Sequence, residues 1–207
     1  MAHSATSLKT YDNCARLYKA KYVDKIVPWV QNAAAERGVA IHEKLEHAVQ
    51  SGKPPADVWT PTGLIPMLHK AGAVVETGVA LTENLTPTQF DSTDAWLRGY
   101  IDVLIMGAHK AVVIDWKTGK VRPDKIQADV YTGMIHAIQD NYDMQVDFRL
   151  VYVDQKQVVN LNRDNGALDR TVKLALEVEN DKEYLPNPGW LCRYCDFTAC
   201  RYNEKQV

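Results

Sequence analysis

The sequence predicts an α/β protein with a central mixed sheet flanked by helices. Two stretches of helical apolar period open the chain, three β-like runs follow through positions 73–116, and another helical stretch separates the third run from a fourth. With 207 residues, 46% of them hydrophobic, the chain can bury one sizeable core and is short for two, so a single domain over 1–207 is expected.

Over 7–23 the residues Leu8, Tyr11, Ala15, Leu17, Tyr18 and Tyr22 recur mostly at three- and four-residue spacing, with Thr6 or Ser7 as N-cap, which predicts one continuous helix. Positions 33–50 repeat the period through Val39, Ile41, Leu45 and Val49, and Ser51-Gly52-Lys53-Pro54-Pro55 stops that helix. A shorter helix is expected over 63–70. The pattern then turns β-like at 73–81, 96–106 and 110–116, with Gly107-Ala108-His109 as a tight connection, so these strands should form one antiparallel sheet. Ile126, Val130, Met134, Ile135 and Ile138 return to helical period within 123–140, and 146–153 reads as a buried strand, which makes a strand–helix–strand crossover. An edge strand at 158–161 and a last helix at 168–178 are expected before Pro186-Asn187-Pro188-Gly189 opens an irregular, cysteine-bearing tail.

The net charge of −2 gives no global attraction to nucleic acid, so any such surface must be local. The opening Met1-Ala2-His3-Ser4 lacks a basic stretch followed by an apolar one, and no run of about eighteen apolar residues occurs, so neither a signal peptide nor a membrane span is expected. A reducing cytoplasm is the expected compartment. There, four cysteines act as metal ligands, reactive thiols or small buried residues rather than disulfides.

The densest chemical signal is Gly99-Tyr100-Ile101-Asp102 followed by Ile114-Asp115-Trp116-Lys117-Thr118-Gly119. Asp115 and Lys117 end an apolar strand and, by its two-residue period, share a face. If the flanking strands pair, Asp102 lies beside Asp115, and two carboxylates at one spot suit a hard cation such as Mg²⁺ or Mn²⁺ with Lys117 next to it. That set supplies what phosphodiester hydrolysis needs. Read singly, Asp115 and Lys117 are equally an ordinary ion pair at a strand end.

With Gln127-Ala128-Asp129-Val130-Tyr131 added, the series resembles RecB-type nucleases of the PD-(D/E)XK class, whose motifs read G-x-x-D, (D/E)-x-K and Q-x-x-x-Y. Gly38-Val39-Ala40-Ile41-His42 is similar to the same family's G-x-x-x-H helix motif. The resemblance implies a PD-(D/E)XK restriction-endonuclease-like core and metal-dependent DNA cleavage, with exonuclease action on ends or single strands. It implies His42, Asp102, Asp115 and the Trp116 carbonyl as metal ligands and Lys117 as the catalytic lysine. Gln127 and Tyr131 would line the active site, and Glu76 would hold an acidic position on the first strand. His42 could otherwise be a core histidine, and Gln127 with Tyr131 a surface pair.

Cys192-x2-Cys195-x4-Cys200 places three thiols within nine residues, and Cys14 stands almost a full chain away. By resemblance to the AddB and CRISPR-associated branches this implies a [4Fe–4S] cluster that clasps 1–30 to 186–207, with zinc as the next reading. Such relatives work in recombination, phage DNA processing or CRISPR adaptation, which implies a helicase or adaptation protein as possible partner in a bacterium or phage-infected host. Arg16, Tyr18, Lys19 and Tyr22 on the first helix, Arg193, Tyr194, Arg201, Tyr202 and Lys205 around the cysteines, and Lys120 and Arg122 after the catalytic lysine form a candidate DNA surface. Two other classes fit the same composition: a DNA-binding subunit that does not cut, and a zinc-stapled interaction domain.

Overall fold

The computed structural model describes residues 2–28 and 32–204. Five strands, β1 (Val74–Leu81), β2 (Leu97–Met106), β3 (Lys110–Lys117), β4 (Gln145–Tyr152) and β5 (Gln157–Asn160), form one sheet in that spatial order. Pairing is antiparallel except between β3 and β4, which run parallel. The parallel pair follows from the crossover helix α5 (Lys125–Gln139), since parallel neighbours need a long connection. The sheet is therefore mixed, with the antiparallel run through β3 that the β-like runs imply.

Helices cover both faces. On one side α1 (Ala5–Asn13), α2 (Ala15–Tyr18), α5 and α6 (Ala167–Asn180) pack with Leu97, Ile101, Val113, Phe148 and Leu150. On the other, Ile41 and Leu45 of α3 (Ala33–Ser51) and Ile65 and Leu68 of α4 (Leu64–Lys70) bury Val103, Ile114, Trp116 and Val151. In β3 the alternation is regular: Ala111 and Val113 face α5, whereas Ile114 and Trp116 face α3. Each fully buried Leu, Val or Phe here contributes about 1.5–3 kcal/mol of transfer free energy. No helix among the described residues is long and apolar enough to cross a membrane.

Two expectations need correction. The helix expected over 7–23 starts earlier, at the N-cap Ser4, whose Oγ accepts from Ser7 N–H while Ser7 Oγ accepts from Ser4 N–H, a reciprocal cap in which a second serine does the work of the usual Glu. It also breaks at Cys14, which is extended at φ −166°, ψ 108°, before α2 and a π turn at Lys19–Val23. The distant tail explains the break. Asn187 donates through Nδ2 to Asn13 O at 3.2 Å and through its N–H to Cys14 Sγ at 3.5 Å, so groups exposed at the helix end find partners there.

Candidate active site

Residues from both helical layers converge where β2 and β3 lie side by side. The β2–β3 register, Val103 opposite Ile114, carries forward to set Asp102 across from Asp115. On the other flank, Val75 pairs with Val103 and Thr77 with Ile101, so Glu76 stands opposite Asp102. At this position the strands roll. Val75 and Val103 pack toward α3, yet Val79 and Ile101 pack toward α5, although a regular strand would hold positions two apart on one face. Glu76 absorbs the change with φ of +46°, a left-handed backbone that costs a non-glycine residue of order 1–3 kcal/mol.

The roll gathers ligands. One ligand atom each from His42, Glu76 and Asp102 lie within 4.8 Å of one another, the one such metal-ligand group among the described residues. His42 Nε2 donates to the Trp116 carbonyl at 2.9 Å, and Trp116 N–H donates to Asp102 Oδ2 at 2.7 Å. The other ring nitrogen, Nδ1, lies 3.4 Å from Asp102 Oδ2. A ring nitrogen and a carboxylate thus face each other beside a second carboxylate, that of Glu76, a set of donor atoms that could hold a cation. Burial, together with Asp115 and Glu76, pushes the Asp102 carboxyl well above the usual range, against the pull of Trp116 N–H and Lys117. Partial burial, with Glu46 and Asp115 adding, also raises Glu76, which His42 opposes. These groups hold excess negative potential, and hard oxygen donors with one imidazole fit Mg²⁺ or Mn²⁺.

Asp115 is engaged differently from Asp102. Its Oδ2 lies 2.7 Å from Lys117 Nζ, and its Oδ1 accepts from Gln127 Nε2 at 2.5 Å. The shared face that the strand period implies is therefore present, and α5 closes over it. Burial works against the Lys117 ammonium, but Asp115 outweighs it and raises the amine above its ordinary value, so Lys117 stays charged. The Tyr131 hydroxyl donates to Tyr100 O at 2.6 Å. Gly99 makes room for that ring: a Cβ there would sit 2.7 Å from Tyr131 Cε1, which ties the glycine of one motif to the tyrosine of another. Sequence reasoning missed Asp124, the N-cap of α5, which accepts from Gln127 N–H at 3.0 Å and also pairs with Lys9 of α1. The Pro123-Asp124 start of a helical run was its signal.

All four cysteines, Cys14, Cys192, Cys195 and Cys200, are free thiols that line one cavity of about 200 Å³, between α1 and α2 on one side and the tail on the other. Gly189 N–H donates to Cys192 Sγ at 3.4 Å, and buried Asn203 donates to the carbonyls of Cys195 and Phe197, both at 3.0 Å. Burial raises the Cys195 thiol, with Cys14 and Cys200 contributing.

The expected DNA surface is brought together only in part. Tyr18 is 4% exposed and packs against Tyr22 and Tyr184, so its ring is core and unable to stack on a base, a correction; Tyr22 is half-buried beside it. Lys19 pairs with Asp24 at 2.6 Å, and the Arg16 guanidinium lies 5.9 Å from the Phe197 ring centre at the cysteine cavity. Lys120, Arg122 and Arg193 are exposed. Lys205 and parts of 1–30 and 186–207 lie outside the described residues.

A mixed sheet carrying a histidine–carboxylate cluster that could hold a cation, with a charged lysine beside it, is an α/β core with the groups that metal-assisted phosphodiester hydrolysis uses. The sequence matches the PD-(D/E)XK nuclease superfamily over residues 2–74 and 66–200, and the chain belongs to that superfamily. Membership points to metal-dependent cleavage with DNA as substrate. Fifteen chains of solved structures match. Among them the crystal structure of SSO0001 shares the fold with a TM-score of 0.57 at 17% identity, over 98% of this chain and 87% of that one. No curated protein matches the sequence.

Proposed function

We propose that the chain is a Mg²⁺- or Mn²⁺-dependent DNA exonuclease, acting as one domain on strand ends or single strands. The observation that carries this reading is the meeting of His42, Glu76 and Asp102 within 4.8 Å, beside the Lys117–Asp115 pair. A divalent cation held by these three residues, with Asp115 adjacent, would supply charge neutralisation at the phosphate and acidify water. Lys117 holds its proton and orients the attacking water by donating to it, while its charge offsets that developing on the phosphate. Gln127 fixes the Asp115 carboxylate, and Tyr131 braces β2 through Tyr100. The buried wall of α5 keeps bulk water from the reacting face.

The four cysteines hold a [4Fe–4S] cluster in this reading. The cavity volume, the thiol set and the N–H donors to Cys14 and Cys192 support it. Hydrolysis moves no electrons, so the cluster acts as a staple. Recombination, phage DNA processing or CRISPR adaptation, beside a helicase or adaptation protein, is the setting that fits such an activity.

The test uses anaerobically purified protein and DNA labelled at either end, single- and double-stranded, with Mg²⁺, Mn²⁺ or EDTA. Products that shorten progressively from one end in Mn²⁺ and not in EDTA are expected. Internal fragments would replace exonuclease by endonuclease action. Intact DNA throughout would leave a DNA-binding subunit as the reading.

A further inference from the structure

The cysteine tail carries two of the most exposed aromatic rings among the described residues. Trp190 is 58% and Tyr194 64% exposed. Both sit on the short 3-10 turn Trp190–Tyr194, edge to face, with ring centres 6.3 Å apart at 76°. Two guanidinium groups flank them: that of Arg122 lies 5.6 Å from the Trp190 ring centre, and that of Arg193, which also faces Glu204 at 4.0 Å, lies 6.0 Å from Tyr194. Arg122 also leads to the cutting site. Its N–H donates to Tyr152 Oη at 3.1 Å, and Tyr152 pairs with Lys117 across β3 and β4. One guanidinium-bearing residue and one phenol therefore separate the exposed indole from the catalytic lysine.

We propose that Trp190 and Tyr194 form a base-stacking subsite for single-stranded DNA, which Arg122 joins to the active site; this rests on the nuclease reading above. Exposed rings beside positive charge suit an occupant that is both anionic and rich in π-faces. A single strand offers both, whereas a duplex hides its base faces in its own stack. Stacking of one base on an aromatic ring contributes about 1–3 kcal/mol, and the guanidinium groups neutralise the phosphates between bases.

The subsite and the cysteine cavity are one piece. The turn that carries both rings contains Cys192 and ends at Cys195, and Gly189 N–H closes it onto Cys192 Sγ. A group bound by those thiols fixes the angle of the rings, so the cysteines act as positioning residues for the strand.

Fluorescence anisotropy of a labelled single-stranded oligonucleotide, with EDTA present, reads the subsite whether or not the protein cuts. Trp190→Ala is expected to weaken binding about tenfold, with an unchanged melting temperature because the ring is exposed, and Trp190→Phe should recover most of the loss. An oligonucleotide of the same length made of abasic residues should bind the wild type about tenfold more weakly and be indifferent to Trp190→Ala. Cys195→Ser at a temperature where it remains folded should reproduce the loss on the intact strand only. Equal weakening of intact and abasic strands by Trp190→Ala, or no weakening of either, overturns the subsite; the latter result would assign the rings to a protein partner. Failure of the cleavage assay would leave this binding result readable on its own.

Discussion

Lys117→Ala is expected to slow Mn²⁺-dependent cleavage by about two to three orders of magnitude, the loss typical when one group that stabilises developing charge is removed. The effect should fall on the chemical step. Lys117 Nζ sits 2.7 Å from Asp115 Oδ2 and is held protonated by that carboxylate, so its deletion removes a fixed positive charge from the reacting face while Gln127 still holds Asp115 Oδ1. Because the ammonium repels a neighbouring cation, Mn²⁺ affinity should hold or rise in the variant. Single-turnover rates on end-labelled DNA, measured with Mn²⁺ binding on the same preparation, separate the two. A lowered rate explained entirely by lost Mn²⁺ would make Lys117 a prop for the metal site rather than a catalytic residue.

Cys14→Ser or Cys195→Ser is expected to destabilise the fold severely. A clasp between Cys14 and the 192–200 trio closes a loop of almost the whole chain, and a cross-link of that span removes on the order of 5 kcal/mol of unfolded-state entropy. Net stabilities are only about 5–15 kcal/mol, so either substitution should consume a large share. For a chain of this length 1 kcal/mol corresponds to roughly 2–4 °C, hence a fall in Tm on the order of 10 °C, with loss of the visible chromophore. Anaerobic thermal unfolding followed by absorbance measures both together. A serine variant with unchanged Tm and an intact chromophore would contradict the clasp, and a colourless wild type that carries zinc would keep the clasp and reject the iron–sulfur cluster.

The parts of the fold legible in the sequence are those governed by local period. Ala111 to Lys117 is one unbroken strand, so the common face of Asp115 and Lys117 followed directly from residue spacing. Gln127 and Tyr131, four apart on a helix, likewise had to share a side, and both turn inward. What escaped depended on distant chain. The helical period runs through Cys14 undisturbed, and only the hydrogen bonds from Asn187, in the tail, account for the break there. Tyr18 reads as an exposed aromatic among lysines until Tyr184 packs on it from the far end of the sequence. Glu76 gave only the faint signal of one acid in a β-like run; its place at the site comes from a roll shared by β1 and β2, which no single-strand pattern encodes. Trp190, between Gly189 and the cysteines, carries no local pattern that marks it, and Arg122 reaches it only through the fold.

The central claim is that His42, Glu76 and Asp102 bind a divalent cation. Calorimetric titration of Mn²⁺ into the wild type and Asp102→Asn, a substitution that keeps the side chain's size and its capacity to accept from Trp116 N–H, tests it most directly. The wild type is expected to bind Mn²⁺, and Asp102→Asn to bind it at least about tenfold more weakly, a difference of about 1.4 kcal/mol. Equal affinity in the two proteins, or no binding to a folded wild type, would contradict the claim.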